Sequence, residues 1–216
     1  MLTIARSGES IDPDLRVNYL MNAWLGSLVN VQLPFFSSNN FTGLVNDRFW
    51  QNFFPVPATN RLVLGGLVPD FELPVVQQGD RIRLASLWVE KPVVIAFTRI
   101  FTQHQYCPFC LPHIKDLNQQ YEAFQAKGAE LLLVTSTDIG QSQMVVTDLQ
   151  LKMPLLSDPE CKTFKKYQTG QALGAPLPAQ FIITTAGRLH YKHLFSFFDH
   201  NSSASQLLAE LDQLPV

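Results

Sequence analysis

The pattern of apolar and polar residues changes near residue 60. From about Leu62 onward, short apolar runs alternate with amphipathic segments, and Gly and Pro residues separate them. The continuous apolar runs KPVVIAF and AELLLVTST are typical of strands that are buried on both faces. The segments follow the order β-α-β-α-β-α-β-β-α, which predicts one α/β layer structure.

The elements around these two runs can be placed from local signals. LVPDFELPV and RIRLASL are short, alternating and punctuated by Pro and Gly, which predicts a leading hairpin. PHIKDLNQQYEAFQAKG places Ile114, Leu117, Tyr121 and Phe124 on one helical face, and Gly128 is a plausible C-cap. The sequence therefore predicts a helix between the two buried strands.

The second half of the chain continues the alternation. Residues 138–151 favour a helix, MPLLSD a short strand and PECKTFKKYQ another helix. AQFIITTAGRLHYKHLF predicts two strands joined by an Ala-Gly turn. In SASQLLAELDQL, Ser203 and Gln206 have capping-box spacing, which predicts a closing helix.

Residues 1–60 differ from the rest of the chain. No charged side chain occurs from Val17 to Asn46, and Asp12-Pro13 is a typical helix start. We interpret this extension as packing on its own domain, residues 61–216, or on a second subunit. The alternative is a docking arm for another protein or a membrane surface. The extension also carries an aromatic cluster: Trp24, Phe49, Trp50, Phe53 and Phe54.

Composition and charge limit the classes of function that the sequence supports. Only 16% of the residues are charged and 16 are Phe, whereas about 25% charged is usual. Apolar surface in such a chain favours an oligomer, a protein partner or a membrane-surface contact. The net charge of −2 and the lack of a basic cluster argue against nucleic-acid binding. The N-terminus resembles no signal peptide and no stretch is a good membrane span, so we expect a cytoplasmic protein.

The strongest chemical signal is the pair of cysteines in C-P-F-C. Cys107 and Cys110 follow the first buried strand and precede the first long helix. At that position Cys107 would meet the unpaired N–H groups and dipole of the helix N-terminus, which lower a thiol pKa from about 8.5 to roughly 3.5–7.5. Cys110 lies one turn inside the helix, close enough for a disulfide. Pro108 would stiffen the turn between them.

Two other interpretations of these cysteines stay open. A structural zinc site needs four ligands. The only candidates besides the cysteine pair are Cys161, His104 and His113, and their spacing is irregular. Two inert core cysteines are also possible, because free Cys is often buried. The helix-initiating spacing favours a redox pair over both. We expect Cys161 itself to be structural rather than reactive.

Several segments resemble the alkyl hydroperoxide reductase/thiol-specific antioxidant (AhpC/TSA) family, the peroxiredoxin-like branch of the thioredoxin superfamily. They span about residues 64–211 in matching order: VPDFELP, GDRIRLASL, KPVVIAF, LLLVTSTD, PLLSDPE and FIITTAGRLHYKH. The resemblance implies a thioredoxin-like fold with a central mixed sheet and flanking helices. It also implies a thiol oxidoreductase that needs no bound cofactor.

The resemblance assigns roles to individual residues. Cys107 would be the attacking, peroxidatic-type thiolate and Cys110 the resolving partner. Their disulfide would be reset by a thioredoxin- or glutathione-type reductant after reaction with a peroxide or a substrate disulfide. Pro178 lies where such proteins place a cis-proline against the cysteines.

The sequence departs from the family pattern P-x-x-x-T/S-x-x-C. His104 stands three residues before Cys107, Thr102 stands five before it and Arg99 eight before it. No arginine lies around Gln180, where the family usually brings its second one, and the loop before Cys107 is long. Arg99, Thr102 or Thr98 would have to fold back to serve a peroxide. The alternatives are a thiol–disulfide reductase without peroxidase activity, and a redoxin-fold binding or assembly protein that docks through residues 1–60.

Overall fold

The computed structural model describes residues 43–196 and 198–214. The helix predicted to begin at Asp12, the aromatic residue Trp24 and most of the uncharged stretch lie outside these residues. The described strands are β1 Glu72–Pro74, β2 Arg81–Arg83, β3 Val93–Phe97, β4 Ile100–Thr102, β5 Gln105–Tyr106, β6 Glu130–Thr135, β7 Leu155–Ser157, β8 Gln171–Ala172, β9 Ala175–Pro176, β10 Ala179–Ile183 and β11 Leu189–Leu194. The described helices are α1 Asp47–Gln51, α2 Leu84–Trp88, α3 Cys110–Gln119, α4 Tyr121–Ala126, α5 Ile139–Leu149, α6 Lys162–Lys166 and α7 Ala204–Leu211.

A five-stranded mixed sheet forms the centre of the fold. Its strand order is β11-β10-β3-β6-β7. β3 pairs parallel with β6 and antiparallel with β10. Every residue of β3 is buried, as expected of a strand covered on both faces. The middle of the sheet is therefore the strand that leads directly to the cysteine motif.

Two apolar layers cover the two faces of the sheet. Alternate residues of β3 separate between them, because successive strand side chains point to opposite faces. Val94 and Ala96 pack with helices α3, α4, α5 and α7, whereas Val93, Ile95 and Phe97 pack with α2 and α6. This helix–sheet–helix arrangement confirms the predicted thioredoxin-like α/β class.

Most predicted elements are present at the predicted places. The leading hairpin is β1–β2, and the closing helix α7 has a complete Ser203–Gln206 capping box. The helix predicted after the cysteines is interrupted at Gln120, where α3 ends and α4 begins. Its apolar face is continuous across the break, and Gly128 follows α4 in the left-handed region, with φ of 69°.

The long loop before Cys107 is itself a small hairpin. β4 pairs antiparallel with β5, so that Ile100 faces Tyr106. The Cys107 N–H then donates to the Arg99 carbonyl, with an N–O distance of 3.2 Å. The hairpin therefore brings two residues that are eight apart in sequence to the same end of β3.

Residues 43–58 pack on the domain. Asn46 caps α1 by accepting a hydrogen bond from the Phe49 N–H. Beyond α1, the Phe53 carbonyl accepts from the Leu173 N–H, and Val56 forms a β-bridge with Gln171. This part of the extension therefore behaves as its packing interpretation predicts. The domain boundary near residue 60 stays a prediction.

Candidate functional site

Cys107 and Cys110 lie at the start of α3 as free thiols. The Cys107 carbonyl accepts hydrogen bonds from the Cys110 and Leu111 N–H groups, at 3.0 and 3.1 Å. The regular helix begins only at Cys110, since Pro112 has no N–H to donate to the Pro108 carbonyl. Cys107 is 3% exposed and Cys110 is fully buried.

The two thiols have opposite acid–base properties. A hydrogen bond from the Cys110 thiol, N–H groups of Phe109 and Cys110, and the charge of Arg99 lower the pKa of Cys107 to about 6 against the cost of burial. Burial and the neighbouring Cys107 sulfur raise the pKa of Cys110 well above its ordinary value. At neutral pH the site therefore holds a thiolate beside a thiol donor.

Arg99 supplies the fixed positive charge of the site. It is 8% exposed, and its guanidinium donates to the carbonyls of Ala172 and Leu173 at the tip of the β8–β9 hairpin. Its Cζ lies 4.6 Å from the centre of the Phe101 ring. Burial lowers the pKa of Arg99, whereas the charge of the Cys107 sulfur raises it. The Nε of Arg99 is buried and has no hydrogen-bond partner among the described residues.

The two threonine candidates differ in their contacts. The Thr102 hydroxyl accepts from the His104 N–H at 3.2 Å, so it supports the β4–β5 turn. The Thr98 hydroxyl is buried and has no hydrogen-bond partner among the described residues. Thr98 is therefore a more available hydroxyl donor than Thr102.

The predictions for Pro108 and Pro178 had different outcomes. Pro108 lies in the turn between the cysteines, as the spacing predicts. The described residues contain no cis peptide bond, so the expectation of a cis bond before Pro178 was wrong. The trans form is the lower-energy state by about 0.5–1 kcal/mol, and the buried Pro178 leads in that form directly into β10.

A chain of amide hydrogen bonds that the sequence analysis missed fixes the turn. Asn201 donates to the Phe109 carbonyl at 3.0 Å and accepts from the Gln180 side chain at 2.9 Å. Gln180 in turn accepts from the Ser202 N–H. His200 stacks on Phe109, with ring centroids 3.8 Å apart. The one available signal was Gln180, a polar residue in the apolar strand AQFII.

The extension contributes a cover to the site. Leu44 and Phe49 share one buried apolar cluster with Phe101, Cys107 and Cys110. Arg48, which the sequence analysis also missed, donates to the carbonyls of Ser136, Ile100 and Phe101. Its position next to an uncharged stretch gave no sign of a buried cation. Arg48 interacts with the charge of Cys161, whereas Arg99 is the arginine that lowers the pKa of Cys107.

The third cysteine and His113, one of the histidines named for the zinc alternative, are both buried. Cys161 is 2% exposed, and burial raises the pKa of its thiol to about 11, which is consistent with a structural role. Among the described residues, no group of three His, Cys, Asp or Glu side chains could hold a metal ion. His113 is buried, and burial lowers its pKa to about 4. The described residues therefore offer no ligand set for the zinc alternative.

Within the residues that the structure describes, no helix has the length and apolarity that a membrane span needs.

No curated protein matches the chain by sequence. Among solved structures, the chain is similar to the peroxidoxin BcpB from Mycobacterium tuberculosis, at 22% identity and a TM-score of 0.60. The match covers 72% of this chain and all of that one.

Two further solved structures share the fold. A putative thiol:disulfide interchange protein DsbE from Chlorobium tepidum is 23% identical, with a TM-score of 0.54 over 69% of this chain and 99% of that one. The yeast mitochondrial 1-Cys peroxiredoxin is 12% identical, with a TM-score of 0.58 over 70% of this chain and 75% of that one. The sequence model of the AhpC/TSA family matches residues 64–192, more than half of the chain. The chain therefore belongs to the AhpC/TSA family.

Proposed function

We propose that this protein reduces peroxides through the Cys107–Cys110 pair and is regenerated by an external thiol reductant. The Cys107 thiolate attacks one peroxide oxygen and the O–O bond breaks. The departing oxygen takes a proton and leaves as water or an alcohol, while Cys107 becomes a sulfenic acid. Two electrons have then passed from the sulfur to the peroxide.

The second step joins the two sulfurs. The Cys110 thiol gives up its proton and attacks the Cys107 sulfur, and the sulfenic hydroxyl leaves as water. An external dithiol, or two monothiols, then reduces the disulfide by thiol–disulfide exchange and is itself oxidised. No bound cofactor is needed, because the reductant supplies both electrons.

The observation that carries this proposal is the pairing of a Cys107 thiolate with a buried arginine. Thiolates are the nucleophilic form of cysteine, and the pKa of Cys107 of about 6 makes the thiolate dominant at neutral pH. Arg99 acts on the Cys107 sulfur through its charge, and its buried, unpartnered Nε is a donor that a peroxide oxygen would accept from. Donors placed at the atom that gains charge contribute most to such a reaction.

The reductant is proposed by chemical class. The yeast 1-Cys peroxiredoxin has a thiol-resolving mechanism that uses the glutathione and thioredoxin systems. A dithiol of the thioredoxin type suits a C-P-F-C disulfide, since both sulfurs are returned to thiols in one exchange sequence. With this reductant we propose a reducing, cytoplasm-like compartment, because the glutathione and thioredoxin systems keep thiols reduced there.

A second candidate is thiol–disulfide exchange without peroxidase activity. The C-P-F-C turn at the start of α3 favours it, and so does the likeness in fold to the putative interchange protein DsbE. In that case Cys107 would attack a substrate disulfide and form a mixed disulfide, which Cys110 would resolve. Only the first oxidant differs between the two candidates.

Rapid mixing of the reduced protein with hydrogen peroxide separates these candidates. We expect Cys107 to oxidise far faster than a free thiolate, and Arg99→Met to reduce the rate constant about a hundredfold or more. Arg81→Met is the matched control, because Arg81 is an exposed arginine that pairs with Glu72. Oxidation of the wild type no faster than a free thiolate would leave only the exchange activity.

A further inference from the structure

We infer that residues 44–54, here called the cap, form a hinged cover that must open before a large reactant reaches Cys107. The inference rests on the proposed redox function, because it concerns access to the same sulfur. It assigns a role in access to a segment that lies before the family-matched region, residues 64–192. The cap contains α1, in which Arg48 and Phe49 are buried and Trp50 is exposed.

The inner face of the cap covers the redox pair. Phe49 is 9% exposed and Leu44 is 3% exposed, and both share the cluster of Cys107 and Cys110. Together with Phe101, these side chains leave Cys107 only 3% exposed. A thiolate in that position is shielded from any reactant that cannot pass between the side chains.

Gly174 leaves the space that the Phe49 ring occupies. Gly174 lies at the tip of the β8–β9 hairpin with φ of 86°, and a Cβ atom there would lie 2.0 Å from Cδ2 of Phe49. Only a residue without a side chain therefore lets the ring rest on the hairpin. Arg99 donates to the Ala172 and Leu173 carbonyls of the same hairpin. The β8–β9 hairpin therefore contacts both the cap and the Arg99 guanidinium.

The cap is held to the domain at two places, by the buried Arg48 side chain and by carbonyls of residues 51–54 that accept hydrogen bonds from the β8–β9 hairpin. Arg48 binds the carbonyls of Ile100, Phe101 and Ser136, and Asn52 accepts from the Gly174 N–H. On the outer face, Trp50 is 56% exposed and Phe54 is 75% exposed. A five-residue helix with one buried face and one open face has the features of a unit that opens without global unfolding.

The closed cap would discriminate by size. A peroxide is small enough to enter through local side-chain motion, whereas a protein dithiol needs the disulfide sulfurs to be exposed. Opening would therefore precede regeneration by a macromolecular reductant rather than peroxide attack. The cap would also shield the sulfenic acid from unrelated protein thiols before Cys110 attacks it.

Alkylation of Cys107 tests this inference without any redox turnover. The reduced protein is treated with iodoacetamide or with a polyethylene-glycol maleimide, at a pH where Cys107 is fully ionised, and mass mapping follows that residue. We expect Phe49→Ala to raise both rates by about tenfold or more, with the larger increase for the polymer reagent. Asn46→Ala, which removes the α1 cap on the exposed side, should raise them about fivefold.

Phe54→Ala and Trp50→Ala are the matched controls, because both rings belong to the same segment and are largely exposed; the Trp50 ring also touches Phe49, so Phe54→Ala is the stricter of the two. Their rates should stay within about twofold of the wild type. Equal rates for Phe49→Ala and Trp50→Ala, or no change in Asn46→Ala, would overturn the inference. So would a wild-type Cys107 that reacts with the polymer reagent as fast as a free thiolate does. If Phe49→Ala does not fold, Asn46→Ala decides alone.

The outcome is separable from the proposed activity. Faster alkylation in the cap variants without any peroxide reaction in the wild type would retain the cap and remove the peroxidase. Fast peroxide reaction with unchanged alkylation would retain the peroxidase and remove the cap.

Discussion

At the scale of single residues, the site depends on how two adjacent thiols divide one negative charge. Cys107 receives backbone N–H groups, the Cys110 thiol and the field of Arg99, whereas Cys110 is buried next to a sulfur of the same sign. The lower pKa of Cys107 follows from its place at the helix start, which the C-P-F-C spacing alone predicts. The part played by Arg99 does not follow from spacing, because the β4–β5 hairpin creates that proximity.

The pKa of Cys107 provides the first prediction. A pH titration of thiolate absorbance should give a midpoint near 6 in the wild type, and Cys107→Ser should remove that transition. Cys110→Ala should raise the midpoint most, because the Cys110 thiol is its main hydrogen-bond donor. Arg99→Met should raise it by less. A midpoint near the ordinary thiol value in the wild type would contradict this assignment.

Stability should follow the same ionisation. The folded pKa of Cys107 lies below its unfolded value, so the unfolded state binds the additional proton between the two values, and the free energy of unfolding rises with pH there. The gap between wild type and Cys107→Ser should widen by about 2 kcal/mol from about pH 6.5 to pH 8. This stabilisation should disappear as the pH falls through 6. Denaturant unfolding at several pH values measures the gap, and a gap independent of pH would refute the prediction.

At the scale of elements, the apolar pattern predicts the sheet and most helices, since period and burial are local properties. KPVVIAF and AELLLVTST are β3 and β6, and PHIKDLNQQYEAFQAKG has its apolar face where predicted. What the pattern does not reveal are contacts between distant polar groups. The β4–β5 hairpin, the trans bond before Pro178 and the Gln180–Asn201 amide pair all depend on tertiary geometry.

The amide pair yields a prediction about the helix start. Asn201→Ala removes the hydrogen bond to the Phe109 carbonyl and leaves the fully buried Gln180 amide without that partner. We expect a loss of about 1–3 kcal/mol in the free energy of unfolding, and several-fold slower formation of the Cys107–Cys110 disulfide. Stopped-flow oxidation followed by thiol trapping measures that rate.

Asn118→Ala is the control for this prediction. Asn118 also binds the backbone, through the Gln150 carbonyl and the Lys152 N–H, but near the C-terminal end of α3. The Asn118→Ala variant should have a lower free energy of unfolding, but its disulfide should form at the wild-type rate. Equal slowing in both variants would mean that Asn201 acts only through stability.

At the scale of the whole molecule, the fold separates one reactive region from a protected interior. Cys161 is buried beside α6 and accepts a hydrogen bond from Asn52 of the cap, at 3.7 Å, whereas Leu44 and Phe49 of the cap cover the redox pair. The outer surface of the cap exposes the rings of Trp50 and Phe54. A homo-oligomer or protein partner that docks through residues 1–60 stays a prediction, and so does the domain boundary at residue 60.

We expect Cys161 and Cys107 to differ in their rates of alkylation. Cys161 should resist alkylation at neutral pH in the folded protein, because it is buried and its pKa is raised to about 11. It should react readily only in denaturant, whereas Cys107 should react in the native state. Peptide mapping after timed alkylation measures both rates. Native-state labelling of Cys161 as fast as that of Cys107 would show that the α6 region opens independently.

The most direct test of the account is a map of the thiols after one equivalent of peroxide. We predict that a single peptide containing Cys107 and Cys110 loses two hydrogen atoms, as expected for an intramolecular disulfide, while Cys161 stays a thiol. In Cys110→Ser, the same treatment should leave Cys107 as a trappable sulfenic acid. A disulfide to Cys161, or unoxidised Cys107 and Cys110 in the wild type, would contradict the proposed two-cysteine reaction.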